Sequence, residues 1–270
     1  MLDYHMHLEK GEFTKEWWEE FYSKELENGI KEFGVSEHAH RFVEARHIYK
    51  HLPYTEKWCD SILERYINFM EELKKAYNVK IGIEMDYFPE KEDEIRKFLE
   101  YYNVFDYVLG SVHWLKSGFG FDIDPNDPRW SNDLEGIFID YFERVKMAIN
   151  SGLFDIIAHL DLIKLWGVPL PENIEDVYED VSKVIANSGI VLEINTSGLR
   201  RPVKEIYPSP RFLEIISRYK IPITFGSDAH LPEDAGKFIN DAYKLVKDLG
   251  FEKLAVFNRR VPEFVSLIDS

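Results

Sequence analysis

The sequence predicts an α/β fold built from repeating strand–helix units, and three observations lead to this prediction. Short runs rich in β-branched and aromatic residues alternate along the chain with longer amphipathic segments. Neither a low-complexity segment nor a Gly/Ser-rich linker divides the 270 residues. Seven or eight parallel units, in a single domain over residues 1–270, favour a closed or nearly closed barrel. A doubly wound open sheet is the alternative, because periodicity alone does not distinguish the two.

The predicted strands are short and mostly apolar. In chain order they are Leu2–Met6, Glu32–Ser36, Val79–Met85, Phe105–Ser111, Phe154–Ala158, Ile190–Ile194, Ile221–Gly226 and a late strand, Lys253–Phe257. Between them, apolar residues recur about every 3.6 positions, which predicts helices. One helix is predicted between Thr14, as N-cap, and Gly29, as stop. Further amphipathic segments cover residues 55–77, 132–152, 172–189 and 209–220.

The composition narrows the classes of function. A formal net charge of -16 argues against nucleic acid and anionic membranes as partners, because like charges repel. A small phosphorylated substrate is still compatible, because bound metal ions can reverse the local field. Cys59 is the only cysteine, which excludes a disulfide framework and a thiolate zinc site. With neither a signal peptide nor a long apolar run, the chain is expected to be cytoplasmic, and its oligomeric state is left open.

Histidines and carboxylates follow the predicted strands, and seven of the nine histidines lie at their C-terminal ends. In a (β/α) barrel these ends form one face, where active sites are built. A single histidine there is usually structural, but seven strand ends that all carry histidine or carboxylate indicate a shared site. In chain order the residues are His5 and His7; Glu37, His38 and His40; Glu84 and Asp86; His113; His159 and Asp161; Glu193 and Asn195; Asp228 and His230.

The segment LDYHMHLEK, at residues 2–10, is the most direct indication of a metal. Side chains two positions apart in a strand point to the same side, so His5 and His7 are expected to converge. Taken alone, the segment could equally hold two surface histidines near the N-terminus. The other strand ends favour the metal.

Imidazole and carboxylate ligands without thiolates suit zinc, manganese or iron. Their number exceeds the roughly three or four protein ligands that one zinc ion needs. The sequence therefore predicts two or three clustered divalent metal ions, with a carboxylate bridging two of them. Such a site activates water and neutralises charge on a phosphoryl group during its displacement. Hydrolysis of a small phosphoester is the favoured chemistry, and amide or lactone hydrolysis on a two-metal barrel is the nearest alternative.

The ordered motifs resemble those of the PHP (polymerase and histidinol phosphatase) superfamily over essentially the whole chain. They are HMH at 5–7, SEHAH at 36–40, GIEMD at 82–86, GSVH at 110–113, IAHLDL at 157–162 and GSDAH at 226–230. The segments GSVHWL and LEINTSGLRRPVKEIYPSP are similar to those of the histidinol-phosphate phosphatases in that superfamily. The resemblance implies a distorted (β/α)7 barrel, with the late strand outside it. It also implies hydrolysis of L-histidinol phosphate, in histidine biosynthesis.

The resemblance further implies a division of the metal ligands. It assigns three groups: His5, His7, Glu84 and Asp228; Glu84, His113 and His159; and His38 and His230. Glu84 would thus bridge two metals. Histidinol-phosphate phosphatases often carry another histidine after a glycine shortly beyond the first histidine pair. Here Gly11 is followed by Glu12, which we expect to take the place of that histidine at the third site or to leave the site weak.

Other residues near the strand ends are expected to support catalysis. Glu84, Asp228 and Asp161 are the expected catalytic carboxylates, with Asp161 as an acceptor that orients a metal-bound imidazole. Asp86 and Glu193 are weaker candidates for that orienting role.

Arginines near a phosphate site are of interest because guanidinium pairs bidentately with phosphate oxygens. Arg200 and Arg201 directly follow the sixth predicted strand, and Arg200, which comes first, is slightly favoured. Arg41 is a weaker candidate for substrate binding.

Two alternatives to hydrolysis of histidinol phosphate stay open at this level. The chain could be a related phosphoesterase that acts on nucleotide or sugar phosphates. It could also be a metal-binding module without catalysis, which the nearly complete ligand set disfavours.

Overall fold

The computed structural model describes residues 1–267, and the α/β class predicted from the sequence is confirmed. The strands are β1 (Leu2–Asp3), β2 (Glu32–Val35), β3 (Val79–Asp86), β4 (Tyr107–Ser111), β5 (Trp114–Leu115), β6 (Phe119–Gly120), β7 (Ile156–Ile157), β8 (Val191–Asn195), β9 (Ile223–Gly226), β10 (Lys253–Asn258) and β11 (Val261–Ser266). The helices are α1 (Lys15–Glu27), α2 (Arg46–Tyr49), α3 (Thr55–Trp58), α4 (Leu63–Lys74), α5 (Glu92–Tyr101), α6 (Arg129–Asn132), α7 (Leu134–Asn150), α8 (Ile174–Ser188), α9 (Pro210–Ile216) and α10 (Ile239–Asp248). All the predicted strands are present, with ends shifted by a few residues.

Seven parallel strands lie side by side in chain order, β1-β2-β3-β4-β7-β8-β9. The last of them adjoins the first, because the N–H of Tyr4 donates to the carbonyl oxygen of Phe225 at 2.9 Å and Met6 bridges Ala229 in parallel. In a closed barrel, a continuous ladder of hydrogen bonds would join β9 to β1, whereas here the two strands share separate contacts. A doubly wound sheet reverses its strand order at a switch point, whereas this order is sequential. The architecture is therefore a distorted seven-stranded barrel with an incomplete seam between β9 and β1.

The late strand β10 lies outside the ring of seven, as expected. It pairs in parallel with β9 at one position, Leu254 opposite Ile223, and along its full length with β11 in an antiparallel hairpin. Arg260, in the hairpin turn, donates to the Asp155 carboxylate at 2.8 Å, just before β7. The sequence did not predict β11, because most of its side chains are exposed and do not alternate between apolar and polar faces.

Tyr107, on β4, fills the barrel interior below the strand ends. Its ring stacks on Tyr4, with centroids 4.8 Å apart, and its hydroxyl donates to the Tyr4 carbonyl oxygen. A Cβ atom at Gly82, on the neighbouring strand, would lie 2.4 Å from this ring, so only glycine admits it. The packed aromatic layer supports the first strand directly beneath His5.

Helix boundaries follow the predicted capping in part. The Thr14 side chain accepts from the N–H of Trp17 at the start of α1, and Gly29 beyond its end has a φ of 78°. The predicted helix over residues 55–77 is split into α3 and α4. Its middle is extended there, because the N–H of Ser61 donates to the carbonyl oxygen of Arg41 in the adjacent loop. Across residues 1–267, no helix has both the length and the apolar character needed to cross a membrane.

Candidate metal centre

The C-terminal ends of the seven parallel strands surround a cavity of about 100 Å³. Within residues 1–267, four sets of histidine and carboxylate atoms that could hold a metal ion meet around it, each set with its atoms within 4.8 Å of one another. The sets are His7, His38 and His230; His5, His159 and Asp228; His5, His7 and Glu84; and Glu84, His113 and His159. We call these eight residues the metal cluster. Of the nine ligands expected from the sequence, Glu12 alone lies outside it.

Glu84 lies at the centre of the metal cluster, and its two oxygens face different histidines. Oε1 lies 2.9 Å from Nε2 of His159 and 3.7 Å from Nε2 of His113. Oε2 faces the other side, where the contacts are His38 Nδ1 at 2.6 Å, His5 Nε2 at 3.5 Å and His7 Nε2 at 3.6 Å. A carboxylate with ligands on both sides has the geometry needed to bridge two cations.

The buried polar atoms of this cavity fit cations. Nε2 of His5, both ring nitrogens of His7 and Nδ1 of His159 are buried without a hydrogen-bond partner among the described residues. Buried polar groups are normally paired, and an orphan usually marks a missing ion or water. Imidazole nitrogens and carboxylate oxygens are ligands for zinc, manganese and iron. The side chains of the metal cluster therefore suit divalent metal ions.

Electrostatic interactions keep two of the ligands, Glu84 and His7, in forms that can bind metal. Burial opposes ionisation of Glu84, but the imidazoles of His38 and His5 outweigh it and hold the pKa of Glu84 well below its usual range. Burial lowers the pKa of His7 well below the usual value, and the neighbouring imidazoles of His38 and His230 add to this. Glu84 is thus an anion and His7 a neutral imidazole at neutral pH, the forms in which each donates a lone pair.

Two carboxylates outside the metal cluster orient its imidazoles. Glu193 Oε1 lies 2.6 Å from Nδ1 of His5, and its Oε2 accepts from the backbone N–H of His159 at 2.6 Å. Asp86 Oδ1 lies 2.7 Å from Nδ1 of His113. A Cβ atom at Gly226 would lie 2.0 Å from Oε1 of Glu193, so the glycine is needed for this approach. The two side-chain contacts leave Nε2 of His5 and of His113 to face the cavity.

Asp161, expected to orient an imidazole, is directed elsewhere. Its carboxylate accepts from the N–H of Ser209 at 3.0 Å and lies 3.3 Å from Nζ of the buried Lys164. The reason is local, because Asp161 has a left-handed φ of 65° and its side chain turns away from that of His159. The structure therefore places Asp161 as an anchor of the loop at residues 207–209. Glu193 and Asp86, which the sequence ranked lower, make the contacts expected of Asp161.

Strained backbone accompanies two members of the metal cluster. His159 has a φ of 23° and Asp228 a φ of 53°, both in the region that favours glycine. The N–H of Asp228 donates to the carbonyl oxygen of His5 at 2.6 Å, which holds the strained residue in place. Such strain persists where the surroundings impose it, and it concentrates at functional sites.

Near the third predicted ligand set, the structure places Glu9 and not the expected Glu12. Glu12 is exposed, whereas Oε1 of Glu9 lies 3.8 Å from Nε2 of His230. Burial opposes ionisation of Glu9, but the imidazoles of His38 and His230 lower its pKa to about 2. Glu9 continues the alternation of His5 and His7 at two-residue spacing, and this pattern was the available signal for it.

The three candidate arginines lie in different environments. Arg41 is nearly buried, and its guanidinium donates to Glu37 at 2.7 Å. Arg200 donates to the carbonyl oxygens of Ser227 and Asp228. Arg201 is exposed and lines the metal cavity, and no described residue forms a hydrogen bond or ion pair with its guanidinium. Arg201 is thus the arginine free to bind an anion there.

A barrel that carries histidines and carboxylates at the C-terminal ends of its strands defines a class, the metal-binding (β/α) barrel proteins. Within this class, a family model described as PHP domain matches residues 3–197. The chain belongs to the PHP family.

Known relatives are similar over most of their length. A Deinococcus radiodurans protein named "Probable histidinol-phosphatase" is 36% identical, over 71% of this chain and 72% of the relative. The Bacillus subtilis protein named "Histidinol-phosphatase" is 32% identical, over 64% of this chain and 73% of the relative. The crystal structure of histidinol phosphate phosphatase from Lactococcus lactis, complexed with zinc, L-histidinol and phosphate, has a TM-score of 0.69 at 22% identity. It covers 97% of this chain and 98% of its own, and it supports the fold.

Proposed function

We propose that the chain is a divalent-metal-dependent phosphomonoesterase. It hydrolyses L-histidinol phosphate to L-histidinol and phosphate, a step of histidine biosynthesis. The observation that carries this proposal is Glu84, whose two oxygens face separate sets of histidines. The names of the relatives supply the substrate.

The ligand sets are those that the family resemblance implies, and the contacts of Glu84 support them. One ion would take His5, His7, Glu84 and Asp228, and a second would share Glu84 and add His113 and His159. A third would take His38 and His230, with Glu9 as the carboxylate in place of Glu12. Zinc, manganese and iron all suit these donors.

Bound cations would polarise the phosphoryl group and lower the pKa of water, which is the chemistry of multimetal phosphatases. The protein supplies the remaining functions. Arg201 extends a free guanidinium into the same cavity, where it would hold phosphoryl oxygens through charge-assisted hydrogen bonds. Glu193 and Asp86 keep His5 and His113 oriented.

A phosphatase panel tests the substrate. Purified protein supplied with manganese or zinc should hydrolyse L-histidinol phosphate with a kcat/KM at least about 100-fold above that for nucleoside monophosphates or sugar phosphates, a preference of about 2.7 kcal/mol. Equal or reversed rates would contradict histidinol phosphate as the substrate and favour another phosphate ester. Fewer than one metal per chain after metal-replete expression, with no activity on any ester, would favour a non-catalytic module.

The variant Glu84→Gln tests the metal requirement of the same reaction. It removes the charge shared by two ligand sets while it keeps the side-chain shape. We expect loss of most metal and a fall in kcat/KM of about 1000-fold or more, since two cations would be disturbed together. Chelation of the wild-type protein should give the same loss, and added metal should reverse it. Full metal content with high activity in the variant would rule out the bridging role.

A further inference from the structure

The metal cavity opens into two larger cavities of opposite character. The first, the aromatic cavity, has a volume of about 360 Å³ and includes Trp58, Trp114, His40 and Asp122 in its wall. The second, the basic cavity, has a volume of about 350 Å³ and includes Lys10, Arg200 and Arg201. A phosphate ester held at the metal cluster must extend its organic part into one of them. The charge of the organic part should therefore determine which of the two cavities it enters.

Asp122 lies at the boundary between the metal cavity and the aromatic cavity, and it lines both. Among the described side chains, those of residues 1–116 and 118–267, none donates a hydrogen bond to its carboxylate or forms an ion pair with it. Burial raises the pKa of Asp122, and the His113 imidazole opposes this. A partly buried carboxylate that has no counter-ion can bind a cation directly. A carboxylate that is already paired must first give up its partner, which costs free energy.

The loop that carries Asp122 is held firmly. Phe121 is fully buried and packs edge-on against Tyr141, with ring centroids 5.5 Å apart. The carbonyl oxygen of Phe121 accepts from the indole N–H of Trp166 at 2.8 Å. The backbone directly before Asp122 is thus fixed by the buried contacts of Phe121, and a recognition group requires such support.

Aromatic rings form the wall beyond Asp122. Trp58 lies 6.0 Å from Trp114 and 5.1 Å from His40 between ring centroids. Aromatic faces attract cations and stack on flat heterocycles. Cationic side chains at this rim are mostly paired, because Lys10 contacts Glu9 at 3.1 Å and Arg41 contacts Glu37. Lys57 is the exception at the exposed rim.

We propose that Asp122 is a specificity residue that binds the ammonium group of the leaving amino alcohol, while Trp58 and Trp114 contact its heterocycle. The inference rests on the proposed function and identifies the part of the site that would recognise the alcohol. The basic cavity suits this group less well, because the Arg201 guanidinium there has no described ion-pair partner and would repel a cation, whereas the Arg200 guanidinium is paired with Asp234 at 3.4 Å. The ester would thus lie with its phosphoryl group towards Arg201 and its ammonium towards Asp122.

The variant Asp122→Asn tests the inference through selectivity. The measured quantity is the kcat/KM for L-histidinol phosphate divided by that for its des-amino analogue, 3-(imidazol-4-yl)propyl phosphate. We expect this ratio to fall about 10- to 100-fold, the scale of a lost charge-assisted contact, mainly through KM. The inhibition constant of L-histidinol against p-nitrophenyl phosphate hydrolysis should rise by a similar factor. The inhibition constant of inorganic phosphate should change less than that of L-histidinol, because phosphate carries no ammonium group for Asp122 to bind.

Asp124→Asn is the matched control in the same loop. Its carboxylate is exposed and accepts from the N–H of Asn126 at 2.8 Å, outside both cavities. It removes the same charge, so its selectivity ratio should stay within about twofold of wild type. Metal content measured for each variant separates recognition from damage to the metal cluster.

Contrary results distinguish this inference from the proposed function. An equal fall on both substrates in Asp122→Asn, with an unchanged inhibition constant for L-histidinol, would overturn the inference and leave the phosphatase intact. A wild-type enzyme that prefers another cationic ester, such as O-phosphoethanolamine over propyl phosphate, and loses that preference in Asp122→Asn would overturn the substrate and support the inference. A wild-type enzyme that hydrolyses L-histidinol phosphate and its des-amino analogue equally would overturn the inference, and the phosphatase panel would still decide the substrate.

Discussion

The guanidinium of Arg200 donates to the backbone carbonyl oxygen of Asp228, at 3.1 Å, and to that of Ser227, at 2.7 Å. Asp228 belongs to the metal cluster and has a left-handed backbone, so Arg200 holds the strained turn at this ligand. Neighbouring arginines thus have separate roles. Arg200 contacts the protein backbone, and Arg201 lines the metal cavity.

Substitution of each arginine by alanine should separate these roles. We expect Arg201→Ala to lower kcat/KM on L-histidinol phosphate by about 10- to 1000-fold with full metal content, because it removes electrostatic stabilisation of the phosphoryl group. Arg200→Ala should instead lower metal affinity and thermal stability, since two carbonyl oxygens lose their donor. Steady-state kinetics and elemental analysis of both variants measure the difference. Normal kinetics in Arg201→Ala would show that another group contacts the phosphate.

The two glutamates beyond the first histidine pair should also differ. Glu9 contacts His230, whereas Glu12 is exposed. Glu9→Gln should reduce the metal content by up to one ion per chain, and activity should partly recover at high added metal, because binding follows mass action. Glu12→Gln is the matched control and should keep both metal content and rate. A loss of metal in Glu12→Gln alone would restore the ligand expected from the sequence.

The sequence was sufficient for the parts of the site that follow from backbone periodicity. The alternation of strands and helices predicted the face on which the ligands meet, and the two-residue spacing of His5 and His7 predicted their convergence. The same spacing extends to Glu9, whereas the family resemblance implies Glu12. The structure places Glu9 beside His230 and leaves Glu12 exposed.

Backbone periodicity does not predict the direction of side chains beyond the strand ends. Asp161 and Glu193 each lie at a strand end, which is all that the sequence predicts. The left-handed backbone of Asp161 turns its carboxylate away from the cavity. Arg200 and Arg201 are adjacent, so the order along the chain gives no information about which one faces the site. Asp122 follows a short hairpin, β5–β6, that has no clear periodic pattern.

A comparison of Glu193→Gln with Asp161→Asn tests which carboxylate supports the metal cluster. Glu193→Gln leaves His5 without its anionic acceptor, so the metal affinity should fall by about 10- to 100-fold. Asp161→Asn should leave it within a few-fold of wild type, because Asp161 contacts Ser209 and Lys164 instead. Competition with a chromophoric chelator measures both affinities. The reverse order would return Asp161 to the role expected from the sequence.

The raised pKa of Asp161 should make the free energy of unfolding depend on pH. Burial raises its pKa to about 6, with the ammonium of Lys164 opposing the rise. An unfolded aspartate has a pKa of about 3.9, so the native protein binds more protons between these values, and its stability falls as the pH rises through about 6. The difference between the two pKa values corresponds to about 3 kcal/mol of lost stability. This loss is complete above about pH 6 and absent below about pH 4. Asparagine does not titrate, so the free energy of unfolding of Asp161→Asn relative to wild type should rise by about this amount between pH 4 and pH 7.5. Urea unfolding of both proteins in metal-free form, at each pH, measures the change without the contribution of bound metal. A difference that stays constant with pH would show that the carboxylate is already ionised at the acidic end, held so by Lys164.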